Sequence, residues 1–154
     1  MTQIDDRLVE QDNDNGYTHR LTAGFLKINR RYKRFMHRAL AEYGVEDVAY
    51  TYVMTLAKNP NIHQDQLAYL QGVDKSHVTR VIRELELSGY VSRELYPSDR
   101  RRHMLNLTPS GRELYILIKK IIREWDTYII EGIVKEDLIT TIQTINRIVQ
   151  SIDG

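Results

Sequence analysis

The sequence predicts a mainly α-helical fold with one small β-hairpin, on three observations. Apolar residues recur at steps of three and four before position 58 and after position 109. Between these regions, residues 63–89 read as two short helices joined by a tight turn. Residues 90–107 then read as two strands of alternating polarity around Pro97-Ser98-Asp99. Helix, turn, helix and hairpin in that order are the plan of a winged helix-turn-helix.

Taken in order, residues 1–16, ending Gln11-Asp12-Asn13-Asp14-Asn15-Gly16, carry few apolar groups and predict a mobile arm. From about Thr18 a helix begins, with Phe25, Ile28, Tyr32, Phe35, Met36, Ala39 and Leu40 on one face, and Gly44 closes this 17–44 segment. Residues 45–108 form the winged region. In it Glu46 and Asp47 open a helix through about Lys58, which Asn59-Pro60-Asn61 breaks. Gln64 to Leu70 supplies the first helix of the pair, with Leu67, Ala68 and Leu70 inward, and Gly72 stops it. Asp74 is a ready N-cap, so the second helix opens at Lys75 and runs to about Ser88, where Gly89 ends it.

The 100° step between helical residues divides that second helix. Val78, Ile82 and Leu85 form a narrow apolar stripe bordered by Val81, which is the side to be buried. Ser76, Arg80 and Arg83 project opposite, flanked by His77 and Thr79, with Lys75 at the helix start. These cationic and hydrogen-bonding side chains suit phosphates and base edges, although a plain solvated face has the same composition. The hairpin decides between the two. Arg100, Arg101 and Arg102 crowd its tip beside Asp99, an arrangement that fits a narrow, strongly negative minor groove. Asp99 would orient one guanidinium by a bidentate pair while another reaches DNA.

Ser76-x-x-Thr79-Arg80, Leu85-Glu86, Gly89-Tyr90-Val91, Asp99-Arg100-Arg101 and Leu107-Thr108-x-x-Gly111 together resemble the signature of the MarR (multiple antibiotic resistance regulator) family. The signature spans about a third of the chain, and the flanking helices also resemble the family's arrangement. His77 departs from it, standing where a small hydroxyl residue is more usual. The resemblance implies a homodimeric transcription factor, most often a repressor, bound to a pseudo-palindromic operator and released by small phenolic or otherwise anionic ligands. Activation or anti-silencing by the same fold is the alternative within that class. A winged helix serving protein contact is the alternative outside it, and such a module has no need of three arginines at the wing tip.

Thr108-Pro109 is a strong helix start, and the helix it opens is expected to reach about Glu131. Its apolar residues, Ile121 and Trp125 among them, cover more of the circumference than one small domain would bury. A last helix then places Leu138, Ile142, Ile145, Val149 and Ile152 at steps of four and three, a coiled-coil-like seam. Residues 109–154 are thus either an intramolecular core or a dimer interface. The resemblance implies the dimer, built from these helices together with the first helix and Phe25. Two recognition helices related by a two-fold axis would then meet successive major-groove faces.

Composition fits this reading. The chain has 154 residues, enough for one structural domain burying about 70% of its unfolded surface. The net charge is only +1, so a DNA-binding surface requires clustered cations, and six arginines fall between positions 80 and 102. With no cysteine there is no thiol-based redox sensor. No apolar run approaches a membrane span, and the polar start is not that of a signal peptide, so a cytoplasmic protein without membrane contact is expected. The five histidines are scattered with no two at helical i, i+4 spacing, which argues against a metal site. No glycine-rich phosphate loop, nucleophile elbow or clustered carboxylate-histidine set points to an enzyme, and no cofactor is implied.

A second cationic cluster, Lys27, Arg30, Arg31, Lys33, Arg34 and Arg38, lies on the first helix without an intervening acid. A solvated face accounts for it. Alternatively Arg34 or His37 leans into a cleft between dimerisation helices and winged region and pairs with an anionic effector, with Tyr17, Tyr50 and Tyr52 lining the pocket.

Overall fold

The computed structural model describes residues 14–45, 48–96 and 99–153. Helix α1 (Asp14–Leu40) opens four residues ahead of the expected start. Residues 14–16, expected in the arm, are therefore helical, since Asp14 and Asn15 suit the first turn of a helix as well as a loop. The remainder of the expected arm lies outside the described residues. After Leu40 the chain tightens into a single 3₁₀ turn, Ala41–Tyr43, and Gly44 closes it at φ 63°, a left-handed conformation that glycine adopts without steric cost.

Helix α2 (Ala49–Lys58) and helix α3 (Gln64–Gln71) flank a two-residue strand, β1 (Ile62–His63). Helix α4 (Lys75–Leu87) follows the turn, then β2 (Val91–Tyr96) and β3 (Asp99–Leu107). The sheet has the order β1-β3-β2 and is antiparallel throughout, with Ile62 opposite Leu105 and Val91 opposite Leu107. The hairpin register shifts between Leu95 and Tyr96, so the wing is irregular toward its tip. Strand β1 was not foreseen, because two residues cannot display alternation. It is secured by Asn61, whose backbone N–H donates to Asn106 Oδ1 at 2.8 Å while Asn106 Nδ2 returns a 2.8 Å bond to Asn61 Oδ1.

Helix α5 (Pro109–Ile130) begins as expected. Thr108 accepts from the Gly111 N–H at 3.0 Å and donates its own hydroxyl hydrogen to the Gly89 carbonyl at 2.6 Å. Gly111 is the close-approach residue at this junction: a Cβ there would overlap the Tyr90 carbonyl oxygen and meet Leu107 Cβ at 3.3 Å. The core runs from the end of α1 through the winged region into the first half of α5. Met36, Leu40, Tyr52, Val53, Leu56, Leu67, Val78, Ile82, Leu105 and Ile118 are all essentially inaccessible. Helix α6 (Lys135–Asp153) stands apart, with no substantial contact to any other described element.

Candidate nucleic-acid interface

Helix α4 divides as its periodicity requires. Val78, Val81, Ile82 and Leu85 are buried, while Lys75, Ser76, Thr79, Arg80 and Arg83 are exposed and His77 is half-buried. The cap is complete. Asp74 accepts from the His77 backbone N–H at 2.9 Å and from the Ser76 hydroxyl. These two bonds, the Ser76 hydroxyl foremost, hold the Asp74 carboxyl below the usual carboxylate range. Thr79 is fixed from both sides: its hydroxyl donates to the Lys75 carbonyl at 2.8 Å and accepts from Gln64 Nε2 at 2.5 Å. The His77 ring is tilted at 45° beside the buried Tyr52 ring, with centroids 6.2 Å apart.

Two of the cations on α4 carry internal counter-ions, which residue type alone does not reveal. Lys75 Nζ is 3.0 Å from Asp65, and Arg80 is 3.1 Å from Glu84. Arg93 on β2 reaches Glu86 on α4 with both Nε and Nη2, at 3.2 and 3.1 Å, which pins the wing's first strand to the helix. The i, i+4 spacing of Arg80 and Glu84 was a visible signal for the second pair. No local rule joins Arg93 to Glu86, because the turn at Gly89 brings them together. Asp99, Arg100, Arg101 and Arg102 occupy the start of β3, while their side chains, with Pro97 and Ser98, lie outside the described residues.

The residues expected at a dimer interface separate into two groups. Ile121 and Trp125 are largely buried within the single chain. Tyr32 and Phe35 of α1 pack on the Trp125 ring with centroids at 5.5 and 5.3 Å, and Tyr128 stands 6.1 Å away. Phe25 on α1 and Ile142, Ile145 and Val149 on α6 are 37–50% exposed, and Leu138 is half-buried.

The five residues expected to line an effector pocket lie in two places within the single chain. Tyr50 and Tyr52 are packed in the core, whereas Tyr17, Arg34 and His37 are exposed on α1. Tyr50 meets Tyr32 edge to face at 6.2 Å, and burial pushes both phenols up in pKa. The Tyr52 hydroxyl is buried without a hydrogen-bond partner in the structure. A groove of about 760 Å³ does lie between α2, the sheet and α5, lined by Pro60, Glu94, Asn106, Arg112 and Tyr115 among others, and none of the five reaches it.

Comparison with known proteins places this geometry. The MarR family model matches residues 46–103, from before α2 to β3. The HTH-type transcriptional regulator BilQ of Clostridioides difficile strain CD3 is 31% identical over 102 residues, covering 66% of this chain and 69% of that protein. A crystal structure of MarR superposes with a TM-score of 0.77 at 28% identity, covering 86% of this chain and 96% of that one. Streptococcus pneumoniae FabT, solved in complex with DNA, shares the fold with a TM-score of 0.76 at 20% identity over 88% and 97% of the two chains. Among the described residues, no helix is long and apolar enough to cross a membrane.

Proposed function

The chain belongs to the MarR family of transcriptional regulators, and from that premise we propose that it represses transcription as a homodimer on a pseudo-palindromic operator, with release by a small anionic or phenolic effector. The observation that carries this reading is the division of α4. Its apolar side is fully occupied by the core, and its outer side presents Ser76, Thr79, Arg80 and Arg83 together. A helix whose inner face is locked and whose outer face carries arginines and hydroxyl oxygens is suited to the major groove, where arginine pairs with guanine and a hydroxyl oxygen can accept from a base edge. The wing follows directly through the Arg93–Glu86 pair, so its Arg101 would be delivered to the adjoining minor groove as α4 enters the major one. FabT, a protein of the same fold, is known in complex with DNA, which supports this docking.

Homodimerisation is supported by the uncovered apolar residues of α1 and α6, Phe25, Ile142, Ile145 and Val149. A two-fold pairing through them would set the distance between two α4 helices, and hence the operator spacing. An effector would act by binding one dimer shape better than another, since only differential affinity shifts such an equilibrium.

Fluorescence anisotropy on DNA from upstream of the protein's own gene, against a scrambled duplex at ~150 mM salt, tests the reading. Sequence-selective binding that Arg83→Ala and Arg101→Ala each weaken by about tenfold or more is expected. Selective binding untouched by both substitutions would overturn the docking, and the absence of selective binding to any duplex in a genome-wide site selection would overturn the function.

A further inference from the structure

Helix α1 carries the least compensated charge in the described chain. On a 100° step, Lys27, Arg30, Arg31, Arg34 and Arg38 fall within about 100° of arc, and Lys27, Arg31 and Arg38 within about 40°. All five are exposed, and among the described residues none has an ion-pair partner. Around α4, by contrast, Lys75, Arg80 and Arg93 of β2 each hold a carboxylate, while Arg83, among the described residues, does not. From Lys27 to Arg38 the stripe is about 16 Å long at 1.5 Å per residue. It spans roughly five nucleotides of one strand at 3.4 Å each.

The rest of α1 fixes where this stripe points. Tyr32, Phe35, Met36, Ala39 and Leu40 occupy the opposite side and pack on the core. Further toward the N-terminus Leu21, Phe25 and Ile28 continue that same apolar side, uncovered. A second copy seated on the apolar side therefore leaves the cationic side open.

We propose that the α1 stripe is a second, sequence-independent contact surface for the phosphate backbone of duplex DNA, separate from α4 and the wing. It rests on the DNA-binding reading for its choice of polyanion, and three features select duplex phosphate. Four of the five cations are arginines, whose planar fork matches phosphate oxygens. Tyr32 and Phe35 turn toward the core, so neither of these rings lies in the stripe as a platform on which an unpaired base could stack, as single-strand binding requires. From Tyr32 to Leu40 the apolar side of α1 is taken up by the core, so this part of the helix cannot sink into a bilayer interface as an amphipathic anchor does. A duplex held at α4 would present its flanks, or a neighbouring duplex, at high local concentration.

The test is a salt titration of binding to a mixed-sequence duplex by fluorescence anisotropy, from about 50 to 200 mM salt. Compared are the wild type, the triple variant Lys27→Gln/Arg31→Gln/Arg38→Gln, the charge-keeping variant Arg31→Lys/Arg38→Lys and the α4 variant Arg80→Ala/Arg83→Ala, each first checked for unchanged helicity. Each phosphate contact contributes about 0.9 to the log–log salt slope, so the triple variant should lose roughly 2 to 3 and bind at least about tenfold more weakly at low salt. The charge-keeping variant should retain the wild-type slope. An unchanged slope in the triple variant overturns the proposal whatever the α4 variant does, as does a wild type that binds duplex without salt dependence. A loss in the triple variant with no loss in the α4 variant upholds the stripe and refutes the docking of α4. Preferential loss of binding to polyglutamate or anionic phosphatidylserine vesicles, with duplex binding intact, overturns it in favour of an acidic protein or a membrane.

Discussion

Helices α4 and α6 carry apolar stripes of the same kind and meet different ends. On α4, Val78, Val81, Ile82 and Leu85 are at most 2% exposed, because α2, α3 and β2 close over them. On α6, Ile142, Ile145 and Val149 remain 37–50% exposed, because no other part of the described chain packs there. Periodicity dictates that a helix forms and which side seeks burial, but not what will supply the cover. The winged region supplies its own. Helix α6 and the first half of α1 leave theirs for another surface.

The largest effect should come from the junction where the self-sufficient region meets α5. Gly111→Ala would drive a methyl group into the Tyr90 carbonyl oxygen, a backbone atom that cannot turn aside. A loss of about 4 kcal/mol or more in chemical denaturation followed by circular dichroism is expected. A cost below about 1 kcal/mol would break the comparison, by showing that α5 is not locked to the wing. Next, Ile82→Ala empties a fully inaccessible site on α4 and should cost about 3 kcal/mol in the same assay. Ile142→Asp/Ile145→Asp places charge on the uncovered stripe of α6 instead. It should leave the helical signal intact and raise the dimer dissociation constant by at least about 100-fold, near 2.8 kcal/mol, in sedimentation equilibrium. If that variant unfolds the winged region, or if it associates as the wild type does, the two stripes do not differ in the way described.

What was legible in the sequence follows the same line. The ends of α4 were readable because Asp74 and Gly89 each act on their immediate neighbours, and the hairpin was readable because its strands alternate. Strand β1 was not, since it forms by pairing with β3 about 40 positions away, with the Asn61–Asn106 amide bonds beside it. The helix of Trp125 is apolar on several sides, and only the packing of Tyr32 and Phe35 shows which side the chain covers for itself. Residue type alone suits Tyr50 and Tyr52 to a pocket, but it does not report that α2 faces the core at both positions. The counter-ions of Lys75 and Arg93 belong to separate elements, so local spacing could not reveal them.

The smallest effect expected is at the cap that makes α4 independent of its surroundings. Asp74→Ala removes the acceptor for the His77 N–H and the Ser76 hydroxyl, and should lower the melting temperature less than any change above. Asp74→Asn keeps an N-cap acceptor without a titrating charge, so it isolates the carboxylate. Because the folded carboxyl titrates below its ordinary range, its ionised form favours the folded state above the unfolded pKa, and that contribution disappears as pH falls through the folded one. Wild type should therefore exceed Asp74→Asn in melting temperature at neutral pH and converge with it in acid. A gap that persists unchanged below the carboxylate range would show that the acceptor geometry, and not the charge, holds the start of α4. In that event the independence of α4 would rest on its apolar side alone, and the contrast with α6 would reduce to one of cover.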